Sequence, residues 1–347
     1  MAAFATTYKR LYDGVNYRLR TFADERFADY CRPTSIAISM TERCNARCIH
    51  CDIWKNRGPE KGLTRELWQT MLDELRSWLG PVQVTFSGGE ALMRPVTIDL
   101  VRSAVSKGLV VEVLTNGYWK NQERIEQLAR TNPWRITVSL DGIGDTHSLI
   151  RGHEDFFDRT AESLATLQRV RVEDRLQFKI RLKTVVMRQN LDEVEEVARY
   201  ASGKLGVDVF YQPIEQNYNT IDDARWFENG DNWPTDTERA VAVVQNLIRL
   251  KRDGLPIANS LQQLEAMALY FRDPFRLRIA TQSHSAHETR TLCSALTNLE
   301  IHSGGDVFTC VRMPAVGNLN ENSIRQIWNQ RPRWWRGGCC LQLEDNR

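Results

Sequence analysis

The sequence predicts an α/β protein with a small cysteine-bearing tail. Between residues 35 and 212, six short apolar runs alternate with amphipathic stretches long enough to be helices. Such alternation is typical of βαβ units around a parallel sheet. The eight cysteines are also uneven, because three lie within eight residues after the first apolar run and four lie near the end of the chain. The cysteine pattern therefore separates a main domain from a tail.

The apolar runs and the helical patterns define the expected elements. The predicted strands are Ser35–Met40, Val82–Phe86, Leu109–Leu114, Ile136–Leu140, Phe178–Val186 and Val207–Tyr211. The predicted helices between them are Thr64–Leu79, Val96–Lys107, Gln122–Arg130, Phe156–Val170 and Leu191–Lys204. Periodicity alone leaves open whether six strands form an open sheet or a partial barrel. In both, ligands bind at the carboxyl ends of the strands.

Composition excludes several classes of protein. The chain has 347 residues, 42% of them apolar and 26% charged, which is ordinary for a soluble globular protein. A net charge of +2 gives no reason to expect nucleic acid as a partner. There is no apolar run of about 18 residues, so we expect no membrane span. Charged residues occupy the N-terminus where a signal peptide has its apolar core, so we expect a cytoplasmic location.

Cys44, Cys48 and Cys51 form the pattern Cys-x3-Cys-x2-Cys directly after the first predicted strand. Soft thiolates favour zinc, copper(I) or iron–sulfur clusters over hard cations. Three thiolates leave one corner iron of a 4Fe–4S cube without a protein ligand, and an open position is what a catalytic metal site needs. His50 keeps a Cys3His zinc site as an alternative, although such sites usually draw ligands from two separate hairpins.

This loop resembles the signature of the radical S-adenosylmethionine (SAM) enzymes, including an aromatic-type residue, His50, before the last cysteine. The resemblance implies a partial (β/α)6 TIM-like barrel. It also implies a catalytic 4Fe–4S cluster on Cys44, Cys48 and Cys51, with its open iron chelated by SAM. One electron from a reductant such as flavodoxin or ferredoxin would then cleave SAM to methionine and a 5′-deoxyadenosyl radical.

Gly88, Gly89 and Glu90 follow the second strand. Paired glycines let a backbone approach a ligand closely, and a carboxylate beside them can accept hydrogen bonds from an ammonium group. On their own these residues suit an ordinary turn. In this position they resemble the family's Gly-Gly-Glu motif, which implies that they bind the amino group of SAM.

Small polar residues end the third and fourth strands. Asn116 lies in Thr-Asn-Gly, and Ser139 and Asp141 lie in Ser-Leu-Asp-Gly, with Arg151-Gly152 twelve residues after Ser139. The pattern resembles the peptide- and sugar-modifying branch of the family. It implies that Ser139 and Arg151 contact the SAM carboxylate with Asp141 nearby, and it makes Asn116 a further candidate for binding SAM.

The tail carries the second cluster of cysteines: Cys293, Cys310, Cys339 and Cys340. A hairpin-like stretch with glycines at its turn precedes Cys310, and a Gly-Asn-Leu and a helical pattern with Ile-Trp follow it. This resembles the SPASM and Twitch domains of radical SAM enzymes. A full SPASM domain has seven cysteines and two auxiliary clusters, so four cysteines imply at most one 4Fe–4S cluster. Ligation by three or by all four, and a cluster-free remnant, stay open.

These patterns predict four regions: an N-terminal helical extension (1–34), a radical SAM core (35–215), a linker with helices (216–289) and an auxiliary iron–sulfur domain (290–347). We expect a radical SAM oxidoreductase or maturase that abstracts hydrogen from an unactivated carbon of a peptide or natural product. A sugar or aminocyclitol dehydrogenase or epimerase is the alternative enzyme class. A non-catalytic iron–sulfur or zinc scaffold protein is an alternative outside enzymes, but it leaves the strand-end motifs unexplained.

Overall fold

The computed structural model describes residues 7–9, 11–16, 18, 30–56, 58, 60, 62–204, 206–218, 220–221, 223, 225–274, 296–310 and 313–332. Three predicted auxiliary ligands, Cys293, Cys339 and Cys340, lie outside these residues. The chain divides into two compact units. The first comprises residues 1–42, 58–113 and 290–347, and the second comprises residues 43–57 and 114–289.

The strands and helices follow the predicted order. The strands are β1 (Ser35–Ser39), β2 (Gln83–Ser87), β3 (Val110–Thr115), β4 (Arg135–Ser139), β5 (Lys179–Val186), β6 (Val207–Pro213), β7 (Asn298–His302), β8 (Asp306–Phe308) and β9 (Gly317–Asn318). The helices are α1 (Arg65–Leu79), α2 (Thr97–Ser106), α3 (Glu123–Ala129), α4 (Asp145–Arg151), α5 (Phe156–Glu173), α6 (Val194–Ser202), α7 (Trp226–Asn229), α8 (Thr237–Arg252), α9 (Leu261–Arg272) and α10 (Ile324–Gln330). Within the described ranges, no helix is both long and apolar enough to cross a bilayer.

Helix α1 shows why these segments are helical. Thr64 accepts a hydrogen bond from the Leu67 amide at the start of the helix, and Gly80 ends it in a left-handed conformation. Trp68, Leu72 and Leu75 recur on one face and are fully buried. Because a buried leucine stabilises the fold by about 1.5–3 kcal/mol, this apolar face rather than helix propensity alone fixes the element.

The first unit contains a sheet in the order β3-β2-β1-β7-β8-β9. Strand β1 is parallel to β2 and also to the tail strand β7, with Ser39 opposite His302. Strands β7 and β8 form the predicted antiparallel hairpin. The parallel pairing of β7 with β1 has no local sequence signal, because it joins residues about 260 positions apart.

Helix α10 of the tail packs within the same unit. The Glu74 carboxylate accepts hydrogen bonds from the Ser323 hydroxyl at 2.7 Å and from the Ile324 amide at 3.0 Å, which caps the helix. The indole of Trp328 is buried and donates to the carbonyl of Cys31 at 3.3 Å. The tail helix is therefore fixed by a buried aromatic anchor and a carboxylate cap.

The second unit contains the parallel strands β4, β5 and β6, in which side chains alternate between two faces. In β5, Ile180, Leu182, Thr184 and Val186 are buried on one face. The opposite face, here named the polar face, carries Arg135, Thr137, Ser139, Lys179, Arg181, Lys183, Val185, Asp208, Phe210 and Gln212. The carboxyl end of this face leads into the candidate site.

Candidate active site

The three clustered cysteines lie on the loop after β1, within the second unit. Cys48 is 8% exposed, and Cys44 and Cys51 are partly buried. All three pack against a small core formed by Ala46 and Phe156. Burial raises the pKa of the Cys48 and Cys51 thiols. A ligand that takes them as thiolates must therefore offset their desolvation.

Helix α4 holds the cysteine loop by its main chain. The Arg47 amide donates to the Arg151 carbonyl at 2.9 Å, and the Ile49 amide donates to the Ile150 carbonyl at 3.0 Å. Gly152 has φ +81°, and a Cβ there would lie 2.6 Å from both the Arg47 Cβ and its carbonyl oxygen. Glycine is required at this position because the loop passes directly against the helix end.

The segment after β6 also holds the cysteine loop in place. The side-chain amides of Asn217 and Asn232 donate to the Ile49 carbonyl at 3.3 and 2.9 Å. The Asp52 amide donates to the Tyr218 carbonyl at 3.2 Å. These contacts come from residues that none of the sequence motifs included, whereas the contacts from helix α4 involve the predicted Arg151-Gly152 pair.

Arg151 connects the cysteine loop to the end of β4. Its Nη1 lies 3.5 Å from Cys48 Sγ, and its Nη2 lies 2.5 Å from Asp141 Oδ2. Asp141 is fully buried, and its Oδ1 accepts the Val185 amide at 2.8 Å. Burial opposes ionisation of this carboxyl, but the positive charge of Arg151 outweighs it and holds the pKa of Asp141 below its usual value. The same carboxylate keeps the pKa of Arg151 raised despite burial.

Two neutral histidines complete this buried group. The Asp141 amide donates to His147 Nδ1 at 3.0 Å, so the ring proton of His147 lies on Nε2, near the Thr160 hydroxyl. Burial and then Arg151 lower the pKa of His147 to about 3. Burial and the charges of Arg151 and Lys183 lower the pKa of His50 to about 4. His50 is therefore a neutral imidazole at pH 7, and among the described residues its buried Nδ1 has no hydrogen-bond partner.

Asn116 lies beside the first cysteine. It is 6% exposed, and its side-chain amide donates to Asn45 Oδ1 at 2.7 Å and lies 3.8 Å from Cys44 Sγ. Asn45 in turn donates to the Tyr118 carbonyl at 2.8 Å. The Tyr118 ring stacks on His153, with centroids 4.9 Å apart. Tyr118 comes directly after the Thr-Asn-Gly motif. This position in the sequence is the signal that could have identified Tyr118 as part of the site.

Ser139 is the last residue of β4 and is half-buried on the polar face, opposite Lys183 in the parallel register. The structure therefore brings Cys44, Cys48, Cys51, Asn116, Asp141 and Arg151 into one connected group. Ser139 lies two residues before Asp141 at the same strand end. The Tyr211 side chain is buried, and its hydroxyl donates to the Val194 carbonyl at 2.9 Å, so it is not part of this group.

The Gly-Gly-Glu turn belongs to the first unit. The Gly89 amide donates to the Thr41 carbonyl at 2.7 Å. Gly88 has φ +127°, and a Cβ there would lie 2.4 Å from that carbonyl oxygen. Glu90 is 1% exposed, and its Oε1 accepts the Leu92 amide at 3.2 Å. The paired glycines therefore allow the turn to pack closely against Thr41, two residues after the end of β1.

The cysteine loop fits an iron–sulfur cluster with a further ligand. Three soft ligands come from one short loop, and the buried donor Arg151 Nε has no hydrogen-bond partner within the part of the chain that the structure describes. An incoming carboxylate would satisfy that donor. Within the described residues, no three His, Cys, Asp or Glu side chains close around a single-ion position. A 4Fe–4S cube instead spreads three thiolates over three irons.

Two family models match the chain. The model of the radical SAM superfamily matches residues 38–201, and an iron–sulfur cluster-binding domain model, SPASM, matches residues 293–338. The second match begins at Cys293, includes Cys310 and ends one residue before Cys339. Cys310 is partly buried after the β7–β8 hairpin.

Several characterised proteins are similar to the chain. The AdoMet-dependent heme synthase of Methanosarcina barkeri is 27% identical over 306 residues, which cover 85% of this chain and 82% of that protein. The Fe-coproporphyrin III synthase of the same organism is 34% identical and covers 42% of this chain and 37% of that protein. The PqqA peptide cyclase of Bradyrhizobium diazoefficiens is 27% identical and covers 48% and 42%.

A solved structure supports the fold. The crystal structure of Streptococcus suis SuiB superposes with a TM-score of 0.64 at 17% identity, covering 87% of this chain and 67% of that chain. At this identity the likeness shows the fold alone, and it confirms the predicted α/β class with parallel strands. The two family models show that the chain contains a radical SAM superfamily domain, over residues 38–201, followed by a SPASM-type iron–sulfur cluster-binding domain, over residues 293–338.

Proposed function

We propose that this radical SAM enzyme oxidises a peptide or natural product after abstracting hydrogen from one of its unactivated carbons. The observation that carries the proposal is the connected group of Cys48, Arg151 and Asp141 beside two further clustered thiols. When bound, the cluster and SAM supply a 5′-deoxyadenosyl radical by one-electron cleavage of SAM.

The residues of this chain have distinct proposed roles. Cys44, Cys48 and Cys51 hold the cluster. Arg151 and Ser139 bind the SAM carboxylate, and Asp141 holds the Arg151 guanidinium in place. Asn116 positions Cys44 through its amide. For the first unit, Gly88, Gly89 and Glu90 are proposed for the SAM amino group, on their resemblance to the family motif.

The tail is proposed to hold one auxiliary 4Fe–4S cluster on Cys293, Cys310, Cys339 and Cys340. Such a cluster would supply a one-electron acceptor for the substrate radical left after hydrogen abstraction, while the substrate loses a proton to solvent. In the overall reaction SAM would be the oxidant, and the electron taken up by the auxiliary cluster would have to leave it before the next turnover. The predicted boundaries at residues 35, 216 and 290 stay a proposal, as do a cytoplasmic location and a flavodoxin or ferredoxin reductant.

A peptide substrate is supported by the likeness to PqqA peptide cyclase, which covers about half of this chain. An iron porphyrin is a second candidate. The likeness to the AdoMet-dependent heme synthase extends over 85% of this chain and 82% of that protein, and a second partial relative is an Fe-coproporphyrin III synthase. A match over 306 residues extends beyond the predicted core of residues 35–215, into parts of the chain where substrate contacts are expected to differ among relatives.

Product analysis separates the two candidates. The reconstituted enzyme is incubated anaerobically with SAM, dithionite and either Fe-coproporphyrin III or peptides encoded beside its gene. We expect one substrate to change mass and to raise the yield of 5′-deoxyadenosine. If neither substrate changes mass, the proposal that the enzyme oxidises a peptide or an iron porphyrin is wrong, even where SAM is still cleaved.

A further inference from the structure

Two asparagine side chains and the main chain of Tyr118 form a closed ring of hydrogen bonds beside Cys44, here named the asparagine ring. The side-chain nitrogen of Asn45 donates to the Tyr118 carbonyl at 2.8 Å. The side-chain nitrogen of Asn116 donates to Asn45 Oδ1 at 2.7 Å, and Asn116 Oδ1 accepts the Tyr118 amide at 2.9 Å. The three residues, all in the second unit, therefore hold one another in a single arrangement.

The main-chain groups of Tyr118 fix which way each side-chain amide faces. A carbonyl can only accept a hydrogen bond and a main-chain amide can only donate one, so both assignments are unambiguous. Asn45 must turn its nitrogen to the Tyr118 carbonyl, and its oxygen then faces Asn116. Asn116 must turn its oxygen to the Tyr118 amide, and its nitrogen then faces Asn45 and Cys44. The asparagine ring therefore presents a donor to Cys44, and not an acceptor.

The sulfur of Cys44 lies close to two N–H groups. Asn116 Nδ2 is 3.8 Å from Cys44 Sγ, and the Ala46 amide donates to the same sulfur at 3.5 Å. The Asn116 side chain is buried, with 6% of the residue exposed, so little water competes for the sulfur on this side. A hydrogen bond to a charged thiolate is stronger where water is excluded.

The asparagine ring is anchored by the residues around it. His153 Nε2 lies 2.9 Å from the main-chain carbonyl of Asn45, so this nitrogen carries the imidazole proton and donates it. The Tyr118 ring stacks with those of His153 and Phe156, with centroids 4.9 and 4.5 Å apart. The Tyr118 hydroxyl donates to Asp155 at 2.8 Å. These contacts hold the Tyr118 main chain, on which the orientation of both amides depends.

We propose that Asn116, oriented by Asn45, donates a hydrogen bond to the Cys44 thiolate and thereby raises the reduction potential of the cluster that Cys44 holds. The inference rests on the proposed function, because it assumes a 4Fe–4S cluster on the cysteine loop. One-electron reduction adds a negative charge to such a cluster, and hydrogen bonds to its sulfurs stabilise that charge. Asn116 and Asn45 are thus positioning residues that act through Cys44.

A redox titration of the reconstituted enzyme, followed by electron paramagnetic resonance, tests this inference. Only the signal that changes when SAM is added is measured, so an auxiliary cluster does not contribute. Asn116→Ala should lower the ratio of reduced to oxidised cluster at a fixed potential about tenfold, the scale for losing one hydrogen bond to a charged group. Asn116→Asp should lower the midpoint potential further, because a carboxylate oxygen would face the sulfur. Asn45→Ala should lower it less, because the donor is kept.

The control is Asn246→Ala, which removes a half-buried side-chain amide from the same unit and should leave the midpoint potential unchanged. Asn246 is on α8 and donates to Glu195 of α6 at 2.6 Å. An unchanged potential in Asn116→Ala would overturn the inference. A shift in Asn45→Ala as large as that in Asn116→Ala would also overturn it, because the position of the loop would then set the potential.

Two further outcomes are distinguishable. Where Asn116→Ala binds no cluster, Asn45→Ala decides, with a lowered potential in support of the inference and an unchanged one against it. A wild type that forms no 5′-deoxyadenosine and gives no SAM-sensitive signal would instead disprove the proposed function.

Discussion

Arg151 Nη1 lies 3.5 Å from Cys48 Sγ while the same guanidinium pairs with the fully buried Asp141 at 2.5 Å. One buried cation thus links a candidate cluster ligand to the end of β4. A hydrogen bond to a ligating sulfur stabilises negative charge on it, and such bonds tune the potential of iron–sulfur clusters. In the proposed site, Arg151 would therefore contribute both to the fold and to holding the cluster.

Arg151→Ala is expected to destabilise the cluster-free protein by about 3–5 kcal/mol, because it leaves the Asp141 carboxylate buried and unpaired. Urea unfolding of the apoprotein measures this. Arg159→Ala is the control, since its ion pairs with Asp155 and Glu162 are on the surface, and little change is expected there. Equal stability of the Arg151 and Arg159 variants would contradict a structural role for the Asp141 pair.

Gly152→Ala is expected to lower the iron bound after reconstitution, because a Cβ at this position meets the Arg47 backbone of the cysteine loop. The positive φ adds about 1–2 kcal/mol of strain. Gly254→Ala is the matched control, with φ +93° and no atom within 4 Å of the added Cβ. The Gly254→Ala variant should have the same backbone strain but should bind as much iron as the wild type. Equal iron in both variants would show that the close approach at Gly152 does not position the loop.

Sequence periodicity predicted the six strands and their helices to within a few residues, because each has a strong local apolar pattern. The clustered thiols, Asp141 and Arg151 were also identified by local motifs. The amide contacts of Asn217 and Asn232 with Ile49 were not, because they join residues more than 160 positions apart and asparagine is common in loops. Helix α4 was missed as an element, since seven residues are too few for a clear helical period.

His302 is expected to stabilise the protein more at low pH. Its hydrogen bond with Glu300, at 3.0 Å, raises the pKa of His302, with Glu42 and Asp306 adding to the effect against partial burial. The stabilisation is complete below about pH 6.5, the pKa of an unfolded histidine, and is lost as the pH rises through the raised folded pKa. The difference in Tm between wild type and His302→Gln should therefore be larger at pH 5.5 than at pH 8.5.

Glu300→Gln serves as the companion variant, because it removes the acceptor charge and keeps the size of the side chain. The difference in Tm between wild type and Glu300→Gln should likewise be larger at pH 5.5 than at pH 8.5. A difference in Tm between wild type and His302→Gln that is the same at both pH values would contradict the assignment of this pair.

The auxiliary cluster is tested by iron content. A chain with Cys44→Ala, Cys48→Ala and Cys51→Ala should retain about four irons after anaerobic reconstitution, the content of one 4Fe–4S cluster. Adding Cys310→Ala should lower that value. Iron near zero in the triple variant would show that the tail holds no cluster.

Reductive cleavage of SAM tests the central assignment most directly. Anaerobically reconstituted protein is reduced with dithionite and given SAM, and 5′-deoxyadenosine is measured beside the variant that lacks Cys44, Cys48 and Cys51. We expect wild type to release 5′-deoxyadenosine and methionine in equal amounts, and the triple variant to release none. No 5′-deoxyadenosine from wild type, together with one zinc per chain, would contradict the assignment and support a structural metal site.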